Sequence, residues 1–165
     1  MTVRRAGEDD AAALLALSLA AIRMSAAEHY EERQLDAWAA RRTLEGHRRM
    51  VADTAVFVAG VGHEVAGFAS IALQPVGSLA AGEVDQLFVH PAFGGRGVAR
   101  ALLVAVASAA RDEGLTELVT HASWRAAPVF ERLGYDRVEV ETVQLDGVPI
   151  TRVLMRSSPI ATDAP

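Results

Sequence analysis

Apolar residues recur along the chain with two different spacings, and one of these spacings is helical. They return every three to four positions between Leu14 and Ile22, behind an acidic segment, which predicts a first helix from residue 8 to about residue 26. A second helix is predicted from residue 31 to about residue 40, with a further turn reaching Arg49. We interpret the arginines that flank this turn as a solvated face: Arg41, Arg42, Arg48 and Arg49.

The other pattern is typical of strands: apolar and polar residues alternate, or a short run is entirely apolar. The predicted strands span residues 2–5, 56–59, 65–71, 83–90, 116–121, 135–143 and 148–155. The second and third form a hairpin, and Asp146-Gly147 joins the last two because this dipeptide suits a tight turn between antiparallel strands. This order of elements predicts an α/β fold with a mixed sheet in one domain of residues 1–157, followed by a tail of residues 158–165.

A glycine-rich stretch, Gly94-Gly95-Arg96-Gly97, connects the fourth strand to an amphipathic helix predicted at residues 98–111. Glycine lets the backbone approach an anion closely, and the first turn of a helix presents unpaired N–H groups at the positive end of its dipole. We therefore predict a phosphate cradle at this loop. The residues predicted to bury the helix are Val98, Leu102, Ala105, Val106 and Ala109, and Gly114 is predicted to end it.

Composition decides which phosphate compound the cradle can hold. The chain has 165 residues and lacks lysine, so all 16 basic residues are arginine. An ATP-binding loop of the type G-x-x-x-x-G-K-[ST] needs that lysine and is excluded. A dinucleotide-binding loop needs a small residue where Arg100 stands, and it is disfavoured.

Charge and cysteine content exclude further classes of function. The absence of cysteine rules out disulfides, thiolate metal ligands and a cysteine nucleophile. A formal charge of −5 without a basic stripe argues against a nucleic-acid partner. The apolar run at residues 11–22 is shorter than the roughly 20 residues of a membrane span and follows acidic residues, so we predict no membrane association and a cytoplasmic protein. The spacing of the five histidines predicts no metal site.

A third kind of glycine loop, [QR]-x-x-G-x-[GA] after a strand, fits the sequence better. Gly97-Val98-Ala99 matches its second half, and residues 122–135 match a second motif near A-x-x-x-A-x-x-F-Y-E-x-L-G-F. On these two motifs the chain resembles the GNAT superfamily of acyl-CoA-dependent N-acyltransferases, from about residue 3 to residue 156. The resemblance implies six to seven mostly antiparallel strands with a central parallel pair, about four helices, and acetyl-CoA as co-substrate without a metal.

The resemblance also implies how the cofactor is held. The backbone of Leu87 and Val89 would pair with the pantetheine arm as an added strand does, and the amides of residues 94–99 would bind the pyrophosphate. The Gly94 position often carries glutamine or arginine in the family, so a side-chain tether is lost here. The implied cofactor contacts are Leu87, Phe88, Val89, Gly94, Gly95, Arg96, Gly97, Val98, Ala99, Arg100 and Phe130. A solvated helix start is the alternative for the two arginine side chains.

For the chemistry, the resemblance implies direct acyl transfer within a ternary complex, with the Leu87 N–H as oxyanion donor. Phe130 stands where a tyrosine commonly protonates the leaving thiolate in the family. Tyr30 is the candidate replacement, because Tyr135 is predicted to pack inward.

Three residues are candidate general bases: Glu83, Asp85 and His121. Glu83 and Asp85 share one face of their strand by its two-residue period. Asp85 would face His121 if their strands are neighbours. A solvent-facing carboxylate and a hydrogen-bonded strand histidine are the structural alternatives.

The acceptor is expected over the first two helices and the last hairpin, as the resemblance implies. The candidate contacts there are His29, Tyr30, Gln34 and Trp38. Tyr30 and Gln34 would share a face if both are helical, and a core anchor is the alternative for Trp38. We therefore predict an N-acetyltransferase acting on a small-molecule amine, as a monomer or a homodimer. A peptide or protein amine is the next acceptor class, and a CoA-binding module without turnover is the rival.

Overall fold

The structure, a computed structural model, describes residues 1–25 and 28–157. The strands are β1 Thr2–Arg5, β2 Ala55–Val61, β3 Glu64–Ala72, β4 Glu83–Val89, β5 Val119–Ala122, β6 Tyr135–Leu145 and β7 Val148–Ser157. They form one sheet in the order β1-β2-β3-β4-β5-β7-β6. The helices are α1 Ala11–Ser25, α2 Glu32–Ala40, α3 Leu44–Asp53, α4 Val98–Asp112 and α5 Ala127–Arg132.

The mixed sheet confirms the predicted fold class. β4 and β5 are parallel, and the other neighbouring pairs are antiparallel. Each predicted strand is present, although β5 begins at Val119 rather than at residue 116. Asp146 and Gly147 join β6 to β7 with positive φ angles of 50° and 80°, as a tight hairpin turn requires. The predicted end of the first helix near residue 26 and the predicted tail, residues 158–165, lie outside the described residues.

The helix α3 corrects the prediction of a mere further turn ending at Arg49. The Thr43 hydroxyl accepts a hydrogen bond from the Gly46 N–H at 3.0 Å, and this cap starts a helix that continues to Asp53. The first helix also begins later than predicted, because Glu8–Asp10 form a separate 3-10 turn.

The helix α4 approaches the sheet so closely that no side chain fits beneath its first turn. A Cβ on Gly67 of β3 would lie 2.8 Å from Val98 Cγ1 and 2.8 Å from the Phe88 carbonyl oxygen. This contact fixes the N-terminus of α4 beside the end of β4. The buried residues of α4 are Val98, Leu102, Leu103, Val106 and Ala110. The predicted core positions Ala105 and Ala109 are only half-buried, because the row Val98–Leu102–Val106–Ala110 faces the sheet.

Helices cover both faces of the sheet. On one face α4 and α5 pack over a core that includes Val84 and Phe130. On the other face α1 and α3 pack around Phe68, and α2 packs with Leu35 against Ile150 of β7. Within the described residues, no helix is long and apolar enough to cross a membrane.

Candidate active site

The two parallel strands at the centre of the sheet stay paired for only a short distance. β4 pairs with β5 at Glu83–Val119 and Val84–Thr120, yet β4 continues to Val89 and β5 to Ala122. The remainder of β4 therefore presents a backbone edge on the β5 side. Such an edge can accept an extended ligand as an additional strand.

The backbone donors of this edge belong to Leu87 and Val89. The His90 N–H donates to the Ala66 carbonyl of β3 at 2.8 Å. Because successive N–H groups in a strand point to opposite edges, the Phe88 N–H also points to β3, whereas those of Leu87 and Val89 point to the β5 side. The predicted pantetheine and oxyanion donors thus lie on the open edge.

Phe88 lies elsewhere than the prediction of a cofactor contact implies. Its ring packs against Phe68 at 5.6 Å and Trp38 at 6.2 Å between ring centroids. These rings lie on the face that α1, α2 and α3 cover. The Phe88 side chain therefore lies on the face of the sheet opposite α4.

The glycine-rich loop has the conformation that an anion cradle needs. Gly95 and Gly97 adopt left-handed φ angles of 74° and 77°, which other residues rarely adopt. The Ala101 N–H makes the first helical hydrogen bond, to the Gly97 carbonyl at 3.0 Å, so the preceding N–H groups have no acceptor inside α4. The Gly94 N–H donates to the Pro91 carbonyl at 3.2 Å. Within the predicted set of amides, Gly94 is therefore already engaged.

The two arginines of the loop differ in their surroundings. The Arg96 guanidinium lies over the Phe93 ring at 5.5 Å from its centroid. Arg100 is exposed on the first turn of α4. Both side chains remain candidates for phosphate contacts.

Phe130, at the position of the family's tyrosine, is a core residue. Its side chain is 2% exposed and meets the Tyr135 ring edge to face at 5.0 Å. The Tyr135 hydroxyl has no hydrogen-bond partner within the described part of the chain, and burial raises the pKa of its phenol. The predicted inward packing of Tyr135 is confirmed.

A cluster of charged side chains lies where β4, β5, β6 and β7 meet. His121 Nδ1 lies 3.0 Å from Glu141 Oε2, and His121 Nε2 lies 3.7 Å from Glu83 Oε1. Arg152 Nε donates to the same Glu141 oxygen at 2.9 Å. The second carboxylate oxygen of Glu83 accepts from the Ala80 N–H at 3.0 Å. We call Glu83, His121, Glu141 and Arg152 the histidine cluster.

The charge of Glu141 is stabilised by its neighbours. Burial opposes its ionisation, but the hydrogen bond from Arg152 and the contact with His121 outweigh this effect and lower the pKa of Glu141. An ionised Glu141 accepts a hydrogen bond from the Nδ1–H of His121, so we place a ring proton on Nδ1, and Nε2 faces Glu83.

Asp85 is not the partner of His121 that the sequence suggested. Ile71 pairs with Val84 and Ser70 with Gln86, which leaves Asp85 as the extra residue of a β-bulge. Its carboxylate accepts from Gln86 Nε2 at 3.3 Å. The bulge separates Asp85 from the His121 contacts, which Glu83 and Glu141 provide instead.

Glu141 and Arg152 were not predicted as site residues, although the sequence contains a usable pattern. A two-residue turn fixes the register of a hairpin. Counting back from Asp146-Gly147 places Glu141 directly opposite Arg152, as the structure has them.

The predicted acceptor residues are mostly occupied by structural contacts. The Tyr30 hydroxyl donates to the Thr151 carbonyl at 2.9 Å and accepts from the Trp124 N–H at 3.1 Å. Gln34 Nε2 donates to the Pro149 carbonyl at 2.8 Å. Tyr30 precedes α2, so the two do not share a helical face, but both tie this region to β7.

The other two predicted acceptor residues remain partly accessible. His29 is exposed in the turn before α2, and Trp38 is half-buried in edge-to-face contact with Tyr30 at 5.6 Å. Trp38 therefore anchors the core, as the alternative interpretation has it, but part of its side chain remains accessible.

Burial raises the pKa of Tyr30, and the hydrogen bond from the Trp124 N–H only partly offsets this effect.

Arg42 corrects the prediction of a solvated arginine face. Its side chain is half-buried, and its guanidinium lies over the Phe88 ring at 5.5 Å from the centroid. Burial lowers the pKa of this guanidinium, against the opposing charge of Asp85. Arg41, Arg48 and Arg49 are exposed, as predicted.

The mixed sheet with its parted parallel pair, the glycine loop and the following helix are the features that the resemblance to the GNAT superfamily implies. The model of the acetyltransferase (GNAT) domain matches residues 26–156, and the chain belongs to this family. It is an acyltransferase, and it is 34% identical over 148 residues to the uncharacterized N-acetyltransferase YafP of Escherichia coli (strain K12), with 88% of each chain covered.

Solved structures agree with this assignment. A GCN5-related N-acetyltransferase from Rhodopseudomonas palustris has a TM-score of 0.85 at 29% identity, over 95% of this chain and 94% of that one. The structure of yncA from Salmonella typhimurium with its cofactor acetyl-CoA has a TM-score of 0.66 at 24% identity, over 100% of this chain and 96% of that one.

Proposed function

We propose that this protein transfers the acetyl group of acetyl-CoA to a primary amine of a small molecule, by direct attack in a ternary complex. The observation that carries the proposal is the histidine cluster beside the parted strands. Membership of the acetyltransferase family supports the choice of reaction, and the solved relative with acetyl-CoA supports the choice of co-substrate.

The energetics of the reaction make the base its most demanding protein group. An alkylammonium with a pKa of about 10.4 lies about 3.4 units above pH 7, so its deprotonation costs about 4.6 kcal/mol. A thiolate with a pKa of about 8.5 lies about 1.5 units above pH 7, so its release without an acid costs about 2 kcal/mol. The core position of Phe130 therefore costs the reaction less than loss of the base would.

Glu83 and His121 together suit the role of base. The ammonium of the acceptor gives its proton to His121 Nε2, while the Glu83 carboxylate attracts the cation. Glu141, fixed by Arg152, keeps Nδ1 protonated and orients the ring. Asp85 has a lesser part in this proposal because it lies in the bulge.

The neutral amine then attacks the thioester carbonyl carbon. The Leu87 N–H on the open edge of β4 stabilises the resulting oxyanion. The attacking nitrogen then loses its second proton to solvent, the oxyanion collapses with cleavage of the C–S bond, and the CoA thiolate takes up a proton from solvent. The loop of Gly95, Arg96, Gly97, Val98 and Ala99 holds the pyrophosphate through its amides, with charge contributed by Arg96 and Arg100.

Thiol release from acetyl-CoA tests the proposal. Purified protein is supplied with a panel of small amines and with a short peptide that has a free N-terminus, and products are identified by mass. We expect thiol release that matches formation of an N-acetylated small amine. Acetylation of the peptide alone would assign the protein to the peptide class. Binding of acetyl-CoA, seen as a raised melting temperature, without thiol release for any amine would favour the non-catalytic module.

A further inference from the structure

The side chain of Arg42 points to a feature of the acceptor that the family assignment leaves open. We propose that Arg42 binds an anionic group, a carboxylate or a phosphate, carried by the acceptor amine. This inference rests on the proposed acetyl transfer, because it concerns the same acceptor site.

Arg42 differs from the other arginines in the burial of an unpartnered donor. Seven of the sixteen arginines form ion pairs with aspartate or glutamate: Arg4, Arg23, Arg33, Arg41, Arg137, Arg152 and Arg156. Arg42 is not among them, and its Nε is buried without a hydrogen-bond partner within the described residues. The opposing charge that acts on it is that of Asp85, whose carboxylate accepts a hydrogen bond from Gln86.

A guanidinium in this state is costly for the fold. Shielding a charged donor from water without a hydrogen-bonding partner is unfavourable, because its lost hydration is not replaced. A ligand anion would remove this cost, since a guanidinium presents paired N–H donors that match the oxygens of a carboxylate or phosphate. The Phe88 ring lies beneath the guanidinium and next to the Trp38 ring, and these two rings can pack against the carbon atoms of such a ligand.

Arg42 and the proposed base lie on the same face of β4. Val84 and Leu87 pack into the core under α4, whereas Phe88 packs under α2 and α3 with Arg42 above it. Glu83 precedes Val84 and so points to the opposite face, toward that of Phe88. Asp85, whose charge acts on Arg42, is two residues from Glu83 on β4. An acceptor that carries an amine and an anion at separate positions can therefore lie along this face, with its amine at Glu83 and its anion at Arg42.

Two matched pairs of acceptors test this inference. One pair is β-alanine and β-alanine amide, and the other is phosphoethanolamine and ethanolamine. For the wild type we expect the anionic member of one pair to have the higher kcat/KM by about 10- to 100-fold, the range for a charged hydrogen-bonded contact. The pair that responds distinguishes carboxylate from phosphate. A ratio near one in both pairs would overturn the inference.

Arg42→Gln and Arg41→Gln provide the variant and its matched control. Arg41 is adjacent and exposed, and its partner is Asp146 at 4.0 Å. Arg42→Gln should bring the ratio of the responsive pair to about one, whereas Arg41→Gln should preserve it. If Arg42→Gln does not fold, Arg42→Lys keeps the charge without the planar fork and should lose most of the preference. Preservation of the ratio in a folded Arg42 variant would contradict the inference.

A binding measurement separates this inference from the proposed function. N-acetyl-β-alanine or inorganic phosphate, according to the anion preferred, should raise the melting temperature of wild type and of Arg41→Gln but not of Arg42→Gln. If this shift occurs without thiol release from any amine, acetyl transfer fails and the anion site stands. If neutral amines are acetylated while neither rate ratio nor shift depends on Arg42, the anion site fails and acetyl transfer stands.

Discussion

The two halves of the site are built from different parts of the chain. On the proposed cofactor side, the contacts would come from backbone groups of β4 and of one short loop, which are close together in sequence. On the proposed acceptor side, they would come from the histidine cluster and Arg42, side chains contributed by β4, β5, β6, β7 and the segment before α3. A backbone site depends on local conformation, whereas a side-chain site depends on how distant elements meet.

The largest expected effect on cofactor binding comes from Gly97→Ala. Its φ angle of 77° strains any residue with a Cβ, so the amides that follow should move out of position. We expect the dissociation constant for CoA to rise 10- to 100-fold, which is a loss of about 1.4–2.7 kcal/mol in binding free energy. Titration calorimetry measures this change. Gly62→Ala is the matched control, because Gly62 has a φ angle of 63° in a distant hairpin turn. An unchanged CoA affinity in Gly97→Ala would show that the loop amides do not hold the cofactor.

On the acceptor side, Glu141→Gln should lower kcat/KM by about tenfold while CoA affinity stays unchanged. The protonated imidazole of His121 would lose a neighbouring negative charge, so the acid limb of the pH–rate profile should move to lower pH. Glu139→Gln is the control, because Glu139 lies on the same strand and is exposed. An acid limb that does not move in Glu141→Gln would separate Glu141 from the catalytic base.

Replacement of each of the two tyrosines by phenylalanine should have a smaller effect, and the two effects should differ. Tyr30→Phe removes two hydrogen bonds and should cost about 1–2 kcal/mol in free energy of unfolding, while the basic limb of the pH–rate profile stays in place. Tyr135→Phe removes an unpartnered hydroxyl and should leave stability unchanged or raised. Denaturant unfolding measures both. A basic limb that shifts in Tyr30→Phe would instead identify Tyr30 as the acid that replaces the family's tyrosine.

The smallest effect concerns stability alone, at His47 beneath the acceptor side. Burial lowers the pKa of His47, aided by the charge of Arg42, although its contact with the Thr43 carbonyl at 2.9 Å opposes the shift. The unfolded chain therefore binds the proton more readily, so the stabilisation is fully present above about pH 6.5 and declines as the pH falls toward the folded-state pKa. The melting temperature should fall over this interval in the wild type. His47→Gln should flatten the dependence, and an unflattened slope would assign it to other groups.

The difference between the backbone side and the side-chain side also explains which parts of the molecule could be predicted from the sequence. The glycine loop, the strand before it and the helix after it are contiguous, so their order alone predicted these three elements. The hairpin at Asp146-Gly147 was predicted for the same reason. The packing of the Phe88 ring against Phe68 and Trp38 could not be predicted in this way, because it depends on helices that are distant in sequence.

The side-chain contacts of the proposed acceptor side could not be predicted from the sequence, for physical reasons. The bulge at Asp85 follows from the pairing of β3 with β4, which no local pattern specifies. The partners of His121 come from β4 and β6, and the burial of Arg42 follows from the position of Phe88 and Trp38. Tyr30 and Gln34 were recognised as polar residues in the right region, but their bonds to β7 depend on how α2 docks.

The central claim is that Glu83 and His121 deprotonate the acceptor amine. Its most direct test is the pH dependence of kcat/KM in the wild type and in Glu83→Gln, Asp85→Asn and His121→Ala, with His63→Ala in the hairpin turn as control. We predict that His121→Ala and Glu83→Gln lower kcat/KM by about 10²- to 10⁴-fold and alter the acid limb, while Asp85→Asn has a smaller effect. If all three variants keep the wild-type profile, the amine arrives already neutral and the account of the base is wrong.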